Sequence, residues 1–260
     1  MSQGFDLKGS YYSYINKDTI PSVFIHGVGL DHQMWKPQIN SLNEFSTLTY
    51  DLLGHGNSEL KNDEVTLNDF SNQLKSLLDF LNIKKINLIG FSLGSLIAID
   101  FTLKFKEYLD TLTLMGTTYQ RTDEERSKVL DRFEQAKLNK PISRQALKRW
   151  FSDKYLDDNP EIYSEFMNIL NKEPKDHDNF LKAYKLFANH RDDIRSIKKI
   201  ETKTLIMTGS DDPGSTVSMS KSLSKDLVNS KFVEVKNGKH LCSIECADEV
   251  NINLKNFIYN

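Results

Sequence analysis

The sequence predicts an α/β fold, with a mostly parallel, twisted sheet that is covered by helices on both faces. Two observations predict this class. Short, continuous apolar segments, such as residues 22–26 and 86–90, alternate with longer segments whose apolar residues recur at helical spacing. Continuous apolar segments are typical of strands buried on both faces, and strand–helix alternation is typical of parallel sheets. A third observation, a long charged segment with helical periodicity, predicts a helical insertion late in this sheet.

The length and charge of the chain limit its function classes. The 260 residues suit one large α/β domain or two small ones, and 34 basic against 36 acidic residues leave no basic excess for nucleic-acid binding. The apolar segments are far shorter than the roughly 20 residues that a membrane helix needs, and residues 1–6 carry no secretory-signal pattern. The two cysteines exclude a disulfide framework. We therefore expect a cytoplasmic protein without a membrane or nucleic-acid partner, and leave a homodimer open.

Seven strands are predicted from short apolar segments that lie between polar, proline or glycine residues. Residues 11–15 alternate weakly in polarity, which indicates an outer strand. Pro21 and Gly27 bound the next apolar segment. The predicted strands cover residues 11–15, 22–26, 46–51, 86–90, 111–115, 204–208 and 231–235.

Helices are predicted from apolar residues that lie three or four positions apart. One such face precedes the strand at residues 86–90, and another closes the chain. Residues 93–105 are apolar on most sides, which is typical of a helix packed against a sheet. The two faces comprise Leu67, Phe70, Leu74, Leu77, Leu78 and Leu81, and Val250, Leu254, Phe257 and Ile258.

The charged segment predicts a division into core and cap. Residues 119–195 are rich in polar side chains, show helical spacing at Val129 and Phe133, and contain no segment typical of a buried strand. We interpret this part as a helical cap, or lid, inserted into the sheet. Residues 1–118 and 196–260 then form the α/β core.

The pattern G-x-S-x-G between a predicted strand and a predicted helix indicates a nucleophile. It places Ser92 in a tight turn, the nucleophile elbow, which lifts the hydroxyl clear of the sheet. Gly90 and Gly94 lack the Cβ atoms that would collide with neighbouring chain in such a turn. The turn also directs the start of the following helix, and with it the N–H of Leu93, at the oxygen of a bound carbonyl.

A serine hydroxyl needs a general base, and the base needs a carboxylate that orients it. His240 follows the last predicted strand, which places it on the same edge of the sheet as Ser92. Asp211 and Asp212 both follow the strand at residues 204–208, and the residues alone leave the choice of acid open. The chain order Ser, Asp, His favours a catalytic triad over a helix cap or a surface position for His240.

Two backbone N–H groups are needed to stabilise the oxyanion of acyl transfer. Leu93 supplies one, because it follows the nucleophile. The loop after the strand at residues 22–26 supplies the other through Val28, since Gly27 and Gly29 free the backbone to turn inward. We expect the imidazole of His26 to tie this loop together by hydrogen bonding rather than to act in catalysis.

These motifs resemble those of the α/β-hydrolase fold superfamily, in its serine hydrolase branch. They occur in the family's order and span most of the chain, at residues 26–29, 51–58, 90–94, 209–213 and 238–240. The resemblance implies an α/β-hydrolase fold with the insertion as its cap. It also implies that the acid is Asp212, where the family's G-x-x-D pattern falls. An acyl-enzyme formed on serine requires no metal and no other cofactor, and we expect none.

Within the superfamily, the chain is similar to 3-oxoadipate enol-lactonases and small carboxylesterases. Residues 30–35 are similar to the lactonase segment G-x-D-x-x-M-W, and Arg149, Trp150 and Phe151 are similar to an R-W-F segment of the lactonase cap. The resemblance implies a small-molecule ester or lactone as the substrate. The same scaffold leaves three alternatives: a ligand-binding signalling receptor with slow turnover, a C–C bond hydrolase and a haloperoxidase-type enzyme.

One segment of the cap shows the features of a helix with an apolar face. Pro141 can open a helix, and Ser143 can cap one. Leu147, Trp150 and Phe151 then lie at i, i+3 and i+4, on one side. In the simpler interpretation this face only packs the cap.

A second interpretation gives the same segment a role in substrate binding. Trp150 then forms a wall of the pocket over Ser92. Arg149 or Arg144 binds an anionic group of the substrate, because the planar fork of arginine suits a carboxylate in two-point contact.

Overall fold

An eight-stranded sheet forms the centre of the protein. The computed structural model describes residues 2–138, 144–170 and 174–259. In chain order the strands are β1 (Ser2–Phe5), β2 (Tyr11–Ile15), β3 (Ser22–Ile25), β4 (Thr47–Tyr50), β5 (Ile86–Phe91), β6 (Leu109–Met115), β7 (Lys203–Gly209) and β8 (Ser230–Val235). Their order in space is β1-β2-β4-β3-β5-β6-β7-β8. Strand β2 pairs antiparallel with β1 and β4, and the remaining pairs are parallel, so the predicted, mostly parallel sheet is confirmed.

The predicted outer strand, residues 11–15, lies one position in from the edge of the sheet. Strand β1 lies beyond it, with Ser2 opposite Tyr14 and Phe5 opposite Tyr11. Each residue of β1 is exposed or half-buried, and the strand contains no apolar run. It therefore shows no hydrophobic pattern in the sequence, and its conformation depends on its pairing with β2.

Helices cover both faces of the sheet, as predicted. They are α1 (Lys36–Ser41), α2 (Leu67–Phe80), α3 (Leu93–Lys104), α4 (Asp123–Lys137), α5 (Arg144–Trp150), α6 (Asp153–Asp158), α7 (Pro160–Leu170), α8 (Pro174–Asn189), α9 (Ile194–Ile197), α10 (Val217–Asp226), α11 (Cys242–Glu245) and α12 (Ala247–Tyr259). Val23 and Ile25 of β3 belong to one apolar cluster and Phe24 to the other, because successive side chains of a strand point to opposite faces. The first cluster includes α2, α3 and α10, and the second includes α12.

Helices occupy the predicted cap region between β6 and β7. Within the described residues, helices α4 to α9 lie there and no strand does. Helix α4 begins with a capping box, in which Thr122 and Glu125 each accept a hydrogen bond from the other's N–H. The cap boundaries at residues 119 and 195 stay predictions. The helix start predicted at Pro141 and Ser143 lies outside the described residues.

Arg121 joins the two ends of this insertion. Its side chain is buried, and its Nη2 donates hydrogen bonds to the carbonyl oxygens of Phe187 (2.8 Å) and His190 (3.3 Å). Arg126 donates a further bond to the carbonyl oxygen of His190 (2.8 Å). A buried guanidinium is costly without acceptors, so these bonds fix the start of α4 against the end of α8.

A buried carboxylate connects the loops that follow β3 and β4. Asp51 accepts hydrogen bonds from the N–H and the Nδ1 of His32 (2.8 and 2.7 Å) and from the N–H of Asn57 (2.9 Å). Burial disfavours the charged form of both side chains, but their hydrogen bond outweighs it. The pKa of His32 is therefore raised and the pKa of Asp51 is lowered. The connection is strongest when both groups are charged.

We expect His32→Asn to lower the free energy of unfolding more at pH 5.5 than at pH 9. Asparagine keeps a neutral donor near the position of Nδ1 but removes the charge. The stabilisation that comes from a raised histidine pKa is complete below the unfolded value of about 6.5 and is lost as the pH rises through the folded value. The difference between the two pH values should be about 1 kcal/mol. Urea unfolding of both proteins measures it, and an equal change at both pH values would contradict the charged pair.

Candidate active site

The turn between β5 and α3 holds Ser92 in a strained backbone conformation. Ser92 has φ 54° and ψ −114°, and such a conformation costs a non-glycine residue about 1–3 kcal/mol. Two hydrogen bonds hold the turn. The N–H of Ser92 donates to the carbonyl oxygen of Met115 (2.9 Å), and Oγ of Ser95 donates to the carbonyl oxygen of Gly90 (2.8 Å). Ser92 is buried and lines a cavity.

The two glycines of the motif are required by the close approach of backbone segments. A Cβ atom on Gly90 would lie 2.3 Å from the carbonyl oxygen of Gly94. A Cβ atom on Gly94 would lie 2.3 Å from the carbonyl oxygen of Ile25 in β3. No side chain fits at these distances, so α3 can start this close to β3 and β5 only with glycine at both positions.

A short hydrogen bond joins the side chains of Asp212 and His240. Nδ1 of His240 lies 2.6 Å from Oδ2 of Asp212. A carboxylate only accepts hydrogen bonds, so Nδ1 carries the proton and Nε2 is left as an acceptor. The other carboxylate oxygen, Oδ1, accepts bonds from the N–H groups of Gly214 (2.8 Å) and Ser215 (2.9 Å). Both oxygens of Asp212 are thereby engaged, which fixes the carboxylate against the imidazole.

Asp211, the neighbouring acid, points elsewhere. Asp211 is exposed, and its Oδ1 accepts a hydrogen bond from Oγ of Ser210 (3.2 Å). The structure therefore places Asp212, and not Asp211, beside His240. This is the position to which the family pattern assigned the acid.

The loop after β7, which carries Asp212, and the loop after β8, the histidine loop that carries His240, are in close backbone contact. A Cβ atom on Gly209 would lie 2.1 Å from the carbonyl oxygen of Gly238, which precedes His240 by two residues. The N–H of Asp211 donates to the same carbonyl oxygen (3.0 Å). The ring of Phe91 lies against the imidazole of His240, with 4.8 Å between ring centroids.

The loop after β3 is held by His26, as expected. The imidazole is fully buried, its Nε2 accepts a hydrogen bond from the N–H of Leu52 (3.0 Å), and its Nδ1 donates to the carbonyl oxygen of Gly27 (2.8 Å). Burial lowers the pKa of His26, which favours the neutral ring that these two bonds require. His26 thus fixes the loop that carries Val28.

The predicted oxyanion groups lie on two segments that meet beside Ser92. Val28 lines the cavity together with Ser92, and a Cβ atom on Gly27 would lie 3.4 Å from Cβ of Ser92. Leu93 is the first residue of α3. The N–H groups of a first helical turn have no acceptor within their helix, so the N–H of Leu93 is suited to binding an anionic oxygen.

A cavity of about 590 Å³ lies between the sheet edge and the cap. Ser92, Asp212 and His240 line it from the sheet side. Its cap side includes four aromatic side chains from α5 and α8, namely Trp150, Phe180, Tyr184 and Phe187, beside aliphatic and polar side chains from α4. The volume is typical of pockets for small-molecule ligands.

Together, helix α5 and Phe151, the residue that follows it, both pack the cap and line the cavity. Leu147 and Phe151 are fully buried in an apolar cluster and pack the cap. Arg149 and Trp150 line the cavity. The side chain of Arg144 lies outside the described residues.

Arg132, which no motif predicted as a site residue, lines the cavity from α4. It shares a face of this helix with Val129 and Ala136, which also line the cavity. Gln135 lines the cavity from the same helix, so this face is mixed in polarity and no local pattern of the sequence identifies Arg132.

One cluster of acidic and histidine side chains has the composition of a metal site. Donor atoms of Asp31, His32 and Asp51 lie within 4.8 Å of one another. Asp51 already accepts hydrogen bonds from His32 and Asn57, and Oδ1 of Asp31 accepts a bond from the N–H of Gln33. These bonds account for the cluster as a connection between loops.

Comparison with known proteins identifies the family. The sequence model of the alpha/beta hydrolase fold family matches residues 23–246, which is most of the chain. The chain belongs to the alpha/beta hydrolase family. This membership confirms the predicted superfamily, the predicted fold and the prediction that the chain is an enzyme of the hydrolase class.

Two relatives of the chain come from Acinetobacter baylyi. One is (E)-2-((N-methylformamido)methylene)succinate hydrolase, which is 27% identical over 239 residues that cover 89% of this chain and 87% of the relative. The other is 3-oxoadipate enol-lactonase 1, which is 28% identical over 225 residues that cover 86% of this chain and 82% of the relative. A similar fold occurs in the crystal structure of the enol-lactonase from Burkholderia xenovorans LB400, with a TM-score of 0.89, 20% identity and complete coverage of both chains.

Among the described residues, no helix is both long and apolar enough to cross a membrane.

We expect Gly209→Ala to destabilise the protein by about 1–3 kcal/mol, because the added methyl group would overlap backbone oxygens of the histidine loop. Gly4→Ala is the matched control, since a Cβ atom there would meet no atom within 4 Å. Thermal unfolding of the two variants measures the difference. A stability of Gly209→Ala within the error of the Gly4→Ala value would show that the two loops separate without cost.

Proposed function

We propose that the protein is a serine hydrolase that cleaves an ester or lactone bond of a small carboxylic acid. One observation carries the proposal. A serine in a strained elbow lines the same cavity as a histidine whose Nδ1 is bound to a buried carboxylate at 2.6 Å. This combination supplies a nucleophile, a base whose Nε2 can accept a proton, and an acid that orients the base.

In the first half of the proposed reaction, Ser92 forms an acyl-enzyme. Nε2 of His240 accepts the hydroxyl proton as Oγ of Ser92 bonds to the carbonyl carbon. The N–H groups of Val28 and Leu93 donate hydrogen bonds to the oxyanion. The bond to the leaving oxygen then breaks, and the imidazolium gives its proton to that oxygen.

In the second half, water releases the acid. His240 accepts a proton from water as the water oxygen attacks the acyl carbon, and the proton passes to Oγ of Ser92 when the acyl bond breaks. Asp212 remains a carboxylate throughout, where it holds the tautomer of His240 and stabilises its charged form.

The cap side of the cavity favours an acidic substrate. Arg149 lines the cavity beside Trp150, and a guanidinium can bind a carboxylate with two parallel hydrogen bonds. The two relatives from Acinetobacter baylyi are named for a succinate derivative and for an enol-lactone of an oxoadipate, which agrees with this chemistry. We therefore place Arg149 and Trp150 in the substrate pocket.

We expect Ser92→Ala to lower the hydrolysis of p-nitrophenyl acetate by several orders of magnitude, because the three side chains act as a unit. Ser127→Ala is the control, since Ser127 lies exposed on α4, and it should retain wild-type turnover. An activity of Ser92→Ala above a tenth of wild type would reject the mechanism. Absence of turnover in the wild-type protein on short esters and lactones would favour the signalling-receptor alternative.

We expect Asp212→Asn to reduce kcat by about 10³–10⁴-fold, because an amide does not hold the productive tautomer of His240. Asp211→Asn removes the same charge from the exposed neighbour and should change kcat by less than about threefold, as is usual for a surface substitution. Steady-state kinetics on one ester compares them. The opposite ranking would show that Asp211 is the acid.

A further inference from the structure

Two arginines of the cap face the same cavity from different helices. Arg132 lies on α4 and Arg149 on α5, and both line the space above Ser92. Arg149 belongs to the proposed substrate pocket, whereas Arg132 has no role in the function argued so far. An arginine cannot lose its charge at ordinary pH, so both bring a permanent positive charge to the cavity.

Neither arginine has an acidic partner in the part of the chain that the structure describes. Among the described residues, no ion pair or side-chain hydrogen bond involves Arg132 or Arg149, although other cap cations have such partners, as in the pairs of Lys128 with Glu124 and Lys154 with Asp158. Asp212 is the only carboxylate among the described residues that line the cavity. Its two oxygens are occupied by His240 and by two backbone N–H groups.

The two charges also disfavour each other. Partial burial lowers the pKa of Arg149, and the positive charge of Arg132 lowers it further. Two like charges that line one cavity, and with which no described carboxylate forms an ion pair, form a site that an anion stabilises.

We infer that Arg132 and Arg149 bind two separate carboxylates, so that the preferred substrate is an ester or lactone that carries two free carboxylates in addition to the scissile bond. Two guanidiniums bring two positive charges to the cavity. One bound carboxylate would leave one of these charges without a counter-charge, whereas two carboxylates balance both. The cavity of about 590 Å³ has room for such a molecule. The inference rests on the proposed hydrolase function and makes Arg132 a residue that determines specificity.

A series of esters that differ in charge tests the inference. The substrates are p-nitrophenyl acetate, the mono-p-nitrophenyl ester of succinate, and the p-nitrophenyl 1-monoester of propane-1,2,3-tricarboxylate, which carry zero, one and two free carboxylates. We expect wild-type kcat/KM to be highest for the dianionic ester. Arg132→Gln should lower the ratio of kcat/KM for the dianionic ester to that for the mono-anionic ester at least tenfold, mainly through KM.

The control variant is Lys128→Gln, which removes one positive charge from the same helix outside the cavity. Lys128 is exposed and paired with Glu124, so this variant should keep the wild-type ratio. Arg132→Lys keeps the charge without the planar fork, and it should give an intermediate ratio. Circular dichroism verifies that each variant is folded. If Arg132→Gln does not fold, Arg132→Lys provides the comparison with wild type.

Binding without turnover provides the second measurement. Calorimetric titration with propane-1,2,3-tricarboxylate measures the affinity of the Ser92→Ala protein. This affinity should be at least tenfold lower in the double variant that also carries Arg132→Gln. If Arg132→Gln lowers the kcat/KM of mono-anionic and dianionic esters equally, both arginines share one carboxylate and the inference is overturned. If no ester is hydrolysed but binding still depends on Arg132, the anion site stands and the proposed function fails. Hydrolysis of esters without preference for charge would reject the inference and leave the proposed function intact.

Discussion

The close approach of three backbone segments at the centre of the sheet is the constraint on which the site depends. Gly94, in the first turn of α3, lies against the carbonyl oxygen of Ile25 in β3, and Gly90 of β5 lies against Gly94. Only this spacing lets the helix begin at the end of β5, with Ser92 in a conformation that non-glycine residues rarely adopt. The strain at Ser92 is balanced by packing and hydrogen bonds around it, so its side chain is held in position before any ligand binds.

Much of this arrangement could be predicted from the sequence because its causes are local. Strands buried on both faces must be continuously apolar, which gave the positions of β3, β5, β6 and β7 to within a few residues. Parallel strands end on the same edge of a sheet, so residues that follow different strands, such as Ser92 and His240, were expected near one another. The choice of Asp212 over Asp211 has no local cause in the sequence and needs the family pattern. Its physical explanation lies in the hydrogen bonds of the folded loop, which join Asp212 to His240 and to the N–H of Ser215.

Features that depend on distant contacts could not be predicted. Strand β1 has no apolar pattern, because its conformation comes from its ladder with β2. The pair formed by His32 and Asp51 joins loops that nothing in the sequence connects. Arg132 resembles any solvated helix residue until α4, α5 and α8 are placed around one cavity. In each case the property belongs to a pair of elements, and a local pattern describes only one of them.

The bonds that Arg121 makes to Phe187 and His190 have a consequence for the order of folding. Strands β6 and β7 are neighbours in the sheet, yet the whole cap lies between them in the chain. Pairing them directly would require closure of a very long loop, which has an entropic cost and slows folding. A cap whose two ends are already joined at Arg121 shortens the effective loop between β6 and β7 to the residues that flank this joint, 116–121 and 190–202. The residues of helices α4 to α8 leave the ribosome before those of β7. The bonds of Arg121 can therefore shorten the effective loop before the strands pair and bring Asp212 and His240 to Ser92.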